Sequence, residues 1–372
     1  ATRRQRQMCI RDSYCTLRYN DNNDGDDSSG GAINSAGDSL TVTHSLVYSN
    51  ELGLLLQKSF ASVISANQIY DNEGFGVKFL AVGAPGGLDS VVANNHLYGN
   101  GGHGIAFEAQ GNYEGGDGNT IRGNEIHDNG GDGLSIDGSS YVVDGGDDNL
   151  VLDNQIYAND GNGIWARNQE DMVLTGNVVR GNGGNGLTYA SLNAQPSALN
   201  SNVLCNNSIY DLQNLWATSL LAQGNWFGTN SPSIGGEIAG TVTYSPYITL
   251  SVTADPAVLP ADGLSTADLN VSMVDGAGHA VPDGYTVTLS VDEGTLADTT
   301  LSLTSGQATS EYTAGTTPGG VDAQAQDACT LLSFDDVLAL RAVDLAIDKV
   351  GPGGSARHGD LVTYTITISE LE

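Results

Sequence analysis

Five segments of this chain follow one pattern: NQIYDNEGFGV from Asn67, NHLYGNGGHGI from Asn95, NEIHDNGGDGL from Asn124, NQIYANDGNGI from Asn154 and NVVRGNGGNGL from Asn177. This repetition restricts the fold more than any bulk property, because so short a unit cannot bury an apolar face alone and must stack on its neighbours. A degenerate copy, SLVYSNELGLLL, begins at Ser45, and Asn207-Ser208-Ile209-Tyr210 reads as a last one. The asparagines opening the copies from Asn67 to Asn207 are 28, 29, 30, 23 and 30 residues apart. That is one coil of about 22 residues with insertions of varying length.

Apolar residues alternate with polar ones at the strand period, so each coil offers inward positions between turns. Ile69, Leu97, Ile126, Ile156 and Val179 form one expected inward stack, and Val77, Ile105, Leu134, Ile164 and Leu187 another. Asn72, Asn100, Asn129, Asn159 and Asn182 are expected at turns, as a ladder in which a short amide tolerates left-handed backbone and bonds the next coil. Gly76, Gly104, Gly133, Gly163 and Gly186 are expected to supply positive φ before a strand.

This pattern resembles the right-handed parallel β-helix repeats of the pectin-lyase-like superfamily over roughly residues 30–247. The resemblance implies a solenoid of the kind that hosts carbohydrate-binding and sugar-cleaving proteins. Asn225-Trp226-Phe227-Gly228 and the later Val242–Tyr247 stretch resemble the aromatic segment that closes such helices. Beyond about Ile248 the text changes to short β runs punctuated by Asp-Gly and Pro-Asp-Gly turns. ADGLSTADLNVSMVDGAGHAVPDGYTVTLSVDEGTL resembles the bacterial immunoglobulin-like domain of invasin and intimin stalks, and the text from Val343 resembles the opening strands of another surface-protein β-domain. The expected fold class is therefore all-β, a right-handed parallel β-helix (19–247) followed by an immunoglobulin-like β-sandwich (248–342) and the start of a further β-sandwich domain (343–372). Residues 1–18 are set apart, because RRQRQMCIRDS from Arg3 to Ser13 resembles translated sequencing-adapter read-through. Both ends read as truncated.

Charge narrows the partners. Thirteen Lys+Arg against 44 Asp+Glu give a formal charge of −31, which repels nucleic acid and anionic lipid and favours a soluble monomer. No apolar run approaches the ~20 residues that span a bilayer, so export to the extracellular space or cell surface is inferred from domain type. Four cysteines make no disulfide framework in a chain of this length, and free thiols are expected.

In a parallel β-helix, equal offsets in successive coils lie about 4.8 Å apart on one face. One outward column reads Leu80, Glu108, Asp137, Arg167 and Ala190, and a second reads Lys78, Ala106, Ser135, Trp165 and Thr188. Together they offer an exposed patch suited to a sugar acid. Glu108, Asp137 and Arg167 are the candidate catalytic groups, and Lys78 and Trp165 the candidate substrate-binding groups. Insertions at Gly83–Asp89, Gly111–Gly118, Gly138–Asp148 and Ala190–Asn200 follow these strands and are expected to wall the patch. Asp117, Asp144, Asp147 and Asp148 on them are candidate Ca2+ ligands, Ca2+ being the one cofactor suggested. A plain alternative is that Asp137 and Arg167 form only a solvated ion pair and the acidic loops only soluble turns.

His96, His103 and His127 fall at different offsets, and no metal triad is expected. Asn20–Asp26 only partly matches a Ca2+ loop, and GNGGHG lacks the strand-to-helix context of a phosphate loop. Two function classes follow: a surface protein whose β-helix presents a glycan-binding or adhesive face, and a secreted lyase, epimerase or glycoside hydrolase acting on uronate-containing polysaccharide.

Overall fold

A computed structural model describes residues 31–36, 39–109, 115–137, 147–190 and 195–342, together with the backbone pairing of 16–17, 345–350 and 365–370. Most of the adapter-like segment, the Asn20–Asp26 stretch and Asp144 lie outside the described residues. The chain divides into two compact units: residues 1–250 with 273–285 and 303–306, and residues 251–272, 286–302 and 307–372.

The first unit holds a solenoid of about seven turns, with three parallel sheets of eight, nine and seven strands. Sheet 1 carries Leu46–Tyr48, Gln68–Tyr70, His96–Tyr98, Glu125–His127, Gln155–Tyr157, Val178–Arg180 and Val203–Cys205, after a first two-residue strand, Thr16–Leu17. Sheet 2 runs from Gly31–Ala36 through Leu52–Gln57, Val77–Ala81, Ile105–Ala109, Leu134–Asp137, Ile164–Arg167, Leu187–Ala190 and Leu212–Asn214 to Ile238–Ala239. Sheet 3 comprises the short third strand of each coil, from Thr41–Thr43 to Ala198–Asn200.

The register stacks Ile69, Leu97, Ile126, Ile156 and Val179 directly on one another, and likewise Val77, Ile105, Leu134, Ile164 and Leu187. Both columns are fully buried in one continuous core. Trp226 and Phe227 are buried near its end, where Tyr244 and Tyr247 pack against it.

The last copy falls elsewhere than expected. Val203, Leu204 and Cys205 pair with Val178, Val179 and Arg180, so Asn202 opens the coil and Asn207 is its second-turn asparagine. Ile209, in the string read as a last copy of the repeat, is 59% exposed. The Asn-Ser-Ile-Tyr string imitates the opening phrase, but a turn stands there.

Buried side-chain amides bind the turns. Asn67, Asn95, Asn124, Asn154, Asn177, Asn202 and Asn225 form a chain in which each Nδ2 donates to the Oδ1 of the next coil at 2.9–3.0 Å. A parallel chain runs from Asn50 through Asn72, Asn100, Asn129, Asn159 and Asn182 to Asn207. The ladder asparagines are not the left-handed residues. Positive φ falls one residue earlier, at Asp71, Gly99, Asp128, Ala158 and Gly181, leaving each amide free to point inward along the stack.

The glycines before the second strand also act differently from expectation. Gly76, Gly104, Gly133, Gly163 and Gly186 are absent from the positive-φ residues. A Cβ on Gly104 would stand 2.5 Å from Ile126 Cγ2 and 2.7 Å from the Gly133 carbonyl oxygen. Close approach of successive coils is what excludes a side chain here.

The second unit contributes strands to a mixed, curled β region, with a four-stranded sheet (Thr249–Asp255, Thr266–Val274, Gln307–Thr313, Thr295–Leu296) and a five-stranded sheet (Val258–Pro260, Leu331–Arg341, Gly319–Gln326, Thr286–Val291, Thr300–Ser302). Gln307–Thr313 pairs antiparallel with Thr266–Val274 and Thr295–Leu296, and the five-stranded sheet is antiparallel apart from Val258–Pro260, which runs parallel to Ala339–Arg341. Burial alternates along its strands, with Leu269, Val271, Leu289, Tyr312 and Val321 inside. Leu345–Val350 and Thr365–Glu370 form a separate antiparallel pair.

Cys205 and Cys329 are each disulfide-bonded, and none of the described cysteines is free. This corrects the expectation of free thiols: spacing along the sequence does not specify which cysteines meet. Disulfides persist in oxidising compartments, which places the protein outside the cytoplasm.

Candidate functional site

The two outward columns of sheet 2 lie in register. Leu80, Glu108, Asp137, Arg167 and Ala190 are successive partners, as are Lys78, Ala106, Ser135, Trp165 and Thr188. The face is nonetheless not the open patch expected. Leu80 is 1% exposed and packs with Leu52 and Leu55 in a second apolar cluster, outside the main core, with Phe75 and Val82 against it. Ala106, Ser135 and Thr188 are buried too, so exposure is confined to the middle coils.

Lys78 corrects the expectation most clearly. It is buried, its Nζ lies 2.9 Å from Glu108 Oε2, and the ammonium stands 4.3 Å from the centroid of the Phe75 ring. A lysine in apolar surroundings needs a counter-charge, and Glu108, one coil on and two positions along, supplies it. Lys78 is thereby consumed inside the fold and is not free to meet a substrate.

Asp137 and Arg167, directly paired across adjacent coils, form an ion pair between Asp137 Oδ1 and Arg167 Nε. Both side chains are about one-third exposed. Burial pushes the Asp137 carboxyl above the usual aspartate range, the Glu108 charge adds to this, and Arg167 opposes it. Asp137 is accordingly easier to protonate than a free aspartate, the property wanted of a general acid. Trp165 is half-buried in the neighbouring column, two residues before Arg167. Phe75 also contacts His103, whose Nδ1 accepts the Asp132 backbone N–H at 2.7 Å. That nitrogen cannot then donate to the Asp132 carboxylate 3.5 Å away.

The acidic turn residues serve the stack. Asp117 Oδ1 accepts the Asp147 backbone N–H, and Asp147 Oδ1 accepts that of Glu170, while Asp148 holds left-handed backbone at φ 54°.

On the outer face of sheet 1 the structure brings together residues that the sequence left apart. His96 pairs with Glu125, and Tyr98 with His127, which makes His96 and His127 diagonal neighbours with their Nε2 atoms 2.7 Å apart. Glu125 Oε2 is 3.7 Å from His96 Nε2. Among the described residues this is a group able to offer three metal-ligand atoms within 4.8 Å of one another. Equal offsets never align these residues. The signal was the diagonal, since positions two apart on adjacent strands share a face.

The family model described as right handed beta helix region matches residues 2–141 and 112–227. No curated protein sequence matches significantly. Among solved structures, the A-module of a mannuronan C-5 epimerase from Azotobacter vinelandii is 18% identical over 56% of this chain and 58% of that one, with a TM-score of 0.42. A periplasmic alginate epimerase is 21% identical over 55% and 50% of the two chains, TM-score 0.40. A C-terminal intimin fragment solved with its receptor's intimin-binding domain is 20% identical over 33% and 46%, TM-score 0.25. The chain thus spans roughly half the length of these structures, and a shared fold carries neither substrate nor reaction with it. The three stacked parallel sheets, the asparagine-bound turns and a family match over more than half of its residues make this chain a member of the right handed beta helix region family.

Proposed function

We propose that this extracytoplasmic protein acts at the cell surface or beyond it and binds an acidic glycan on the outer face of sheet 2, with the C-terminal β region serving as an immunoglobulin-like spacer. One observation carries the reading: Arg167, one-third exposed, stands two residues from the half-buried Trp165 on a row whose two carboxylates are already held in ion pairs. A guanidinium recognises a uronate carboxylate through paired hydrogen bonds, and an indole stacks on a pyranose face. Carboxylates committed to Lys78 and Arg167 suit recognition better than nucleophilic attack.

A second reading, lyase, epimerase or hydrolase action on a uronate-containing polysaccharide, is favoured by the raised pKa of Asp137 beside Arg167. One experiment separates the two. The purified protein is tested for retention on polygalacturonate and alginate and for unsaturated or shortened products, with and without Ca2+, for which Asp117, Asp147 and Asp148 are the proposed ligands. Binding is expected without product, and Arg167→Gln should weaken it about tenfold. Retention of no uronan overturns the proposal, and product formation moves the assignment to the second reading.

A further inference from the structure

The outer face of sheet 1 carries a ring stack that the glycan reading does not use. Tyr48, Tyr70 and Tyr98 stack at 4.9 Å intervals. His127 continues the column 5.3 Å from Tyr98, and Tyr157 follows at 4.7 Å, with interplanar angles of 6° at both steps. The imidazole of His127 is therefore clamped between two phenol rings and has little rotational freedom.

Its protonation pattern is fixed as well. His127 Nδ1 lies 2.7 Å from the Asp128 carboxylate. Since a carboxylate only accepts, Nδ1 carries the proton, and the lone pair of Nε2 in the neutral ring points at His96. Glu125 is held by its other oxygen, because the Tyr157 hydroxyl donates to Oε1 at 2.7 Å and leaves Oε2 facing His96. Two imidazoles and one carboxylate converge, and two of the three are oriented by a partner of their own. This second layer, a carboxylate on Nδ1 and a hydroxyl on the spare oxygen, is the kind that sets ligand direction and basicity in metal sites.

We propose that His96 Nε2, His127 Nε2 and Glu125 Oε2 form a binding site for a divalent transition metal, zinc being the probe of choice. The donor set of two imidazoles and a carboxylate suits a borderline ion of this class better than Ca2+ or Mg2+, which take oxygen ligands. Three protein ligands leave a fourth position for water. Two nitrogens each about 2.1 Å from one ion stand about 3.4 Å apart at the tetrahedral angle, so the rings, now 2.7 Å apart at their Nε2 atoms, must separate by about 0.7 Å. In the metal-free pair His96 Nε2–H donates to His127 Nε2. Metal binding needs the lone pair of His96 Nε2, so that proton must move to His96 Nδ1 or leave the site. The site's net charge, with Glu125 and Asp128 beside it, attracts a cation.

The test is zinc titration of the full chain against a chromophoric chelator. One equivalent should bind, and the variant His96→Gln/His127→Gln should lose at least a hundredfold in affinity. Asp128→Asn and Tyr157→Phe, which leave all three ligands in place, should each weaken binding about tenfold. Substitution with Co2+ adds a spectroscopic readout, since the visible band should change on Glu125→Gln. Unchanged zinc affinity in the double histidine variant would place the metal elsewhere and overturn the proposal, as would failure of the unaltered protein to bind. Should the double variant not fold, imidazole NMR of the unaltered protein decides. Zinc must shift two ring systems among the six histidines, and a titration that moves neither of them rejects the site.

Discussion

At the turns of the solenoid the same residue type returns at nearly every coil, whereas on the outer faces of its strands the residue changes from one coil to the next. The opening ladder is asparagine from Asn67 to Asn225 without interruption. One column of sheet 2 instead runs through leucine, glutamate, aspartate, arginine and alanine. The reason is energetic. A buried amide must satisfy its donors and acceptor on the coils above and below, and an identical group at the same offset does so along both chains of asparagines. An outer position faces no such demand and is free to carry chemistry. Repetition thus marks what the fold requires, and departure from it marks where function can reside.

The sharpest way to break this contrast is to alter one residue of each kind at neighbouring positions. Asn124 is buried, its Oδ1 accepts both the backbone and the side-chain N–H of Asn95, and its Nδ2 donates to Val92 and Asn154. Asn124→Ala should cost about 4 kcal/mol, because partners on two coils lose their bonds while still buried. Gln155, exposed in the adjacent column of sheet 1, should tolerate alanine within about 0.5 kcal/mol. Hydrogen exchange across the coils reads both, and similar losses for the two variants would defeat the distinction.

A second contrast lies within the outer face of sheet 2, where two ion pairs differ in burial. Lys78→Met keeps the packing on Phe75 but leaves Glu108 without its cation, at an expected cost of about 3 kcal/mol. Adding Glu108→Leu should recover most of that loss, since the neighbouring Leu80 cluster accepts an apolar side chain. Arg167→Gln breaks a pair that is one-third hydrated and should cost under about 1 kcal/mol. Thermal or chemical denaturation of the three variants gives the order, and a larger loss for Arg167→Gln than for Lys78→Met would reverse the reading of which pair is structural.

These contrasts also explain what could be read in advance. The inward columns and their register were legible because period-two alternation and a repeated phrase constrain the same residues twice, as at Ile126 and Ile156. The register failed only at Asn207, where a turn sequence copies the opening phrase. The glycines were identified but their role was not, because sequence cannot distinguish a residue needed for left-handed backbone from one excluded by a neighbouring coil. The burial of Lys78 was illegible for a related reason: what covers a strand's outer face is distant in sequence. His96 and His127 escaped because comparison at equal offsets finds vertical neighbours and passes over diagonal ones.

The end of a ladder tests the same idea from the other side. The second chain of amides finishes on Asp211, whose Oδ1 accepts the backbone N–H of Asn207 at 3.0 Å and its Nδ2 at 2.9 Å. A carboxylate there takes the place of a neutral amide, and burial raises its pKa to about 6, with Glu237 adding to the shift and the Asn207 bonds opposing it. The folded protein then holds a proton that the unfolded chain has released between about pH 4 and pH 6. Stability should therefore fall as pH rises through that window and level off above it, by about 2 to 3 kcal/mol in total. Asp211→Asn keeps the accepting oxygen and removes the charge, so the variant should match the parent protein near pH 4, exceed it at pH 7, and lose that slope. Parallel pH profiles for the two proteins would mean that Asp211 ionises in the folded state as readily as a free aspartate, and that an amide is not what this last rung requires.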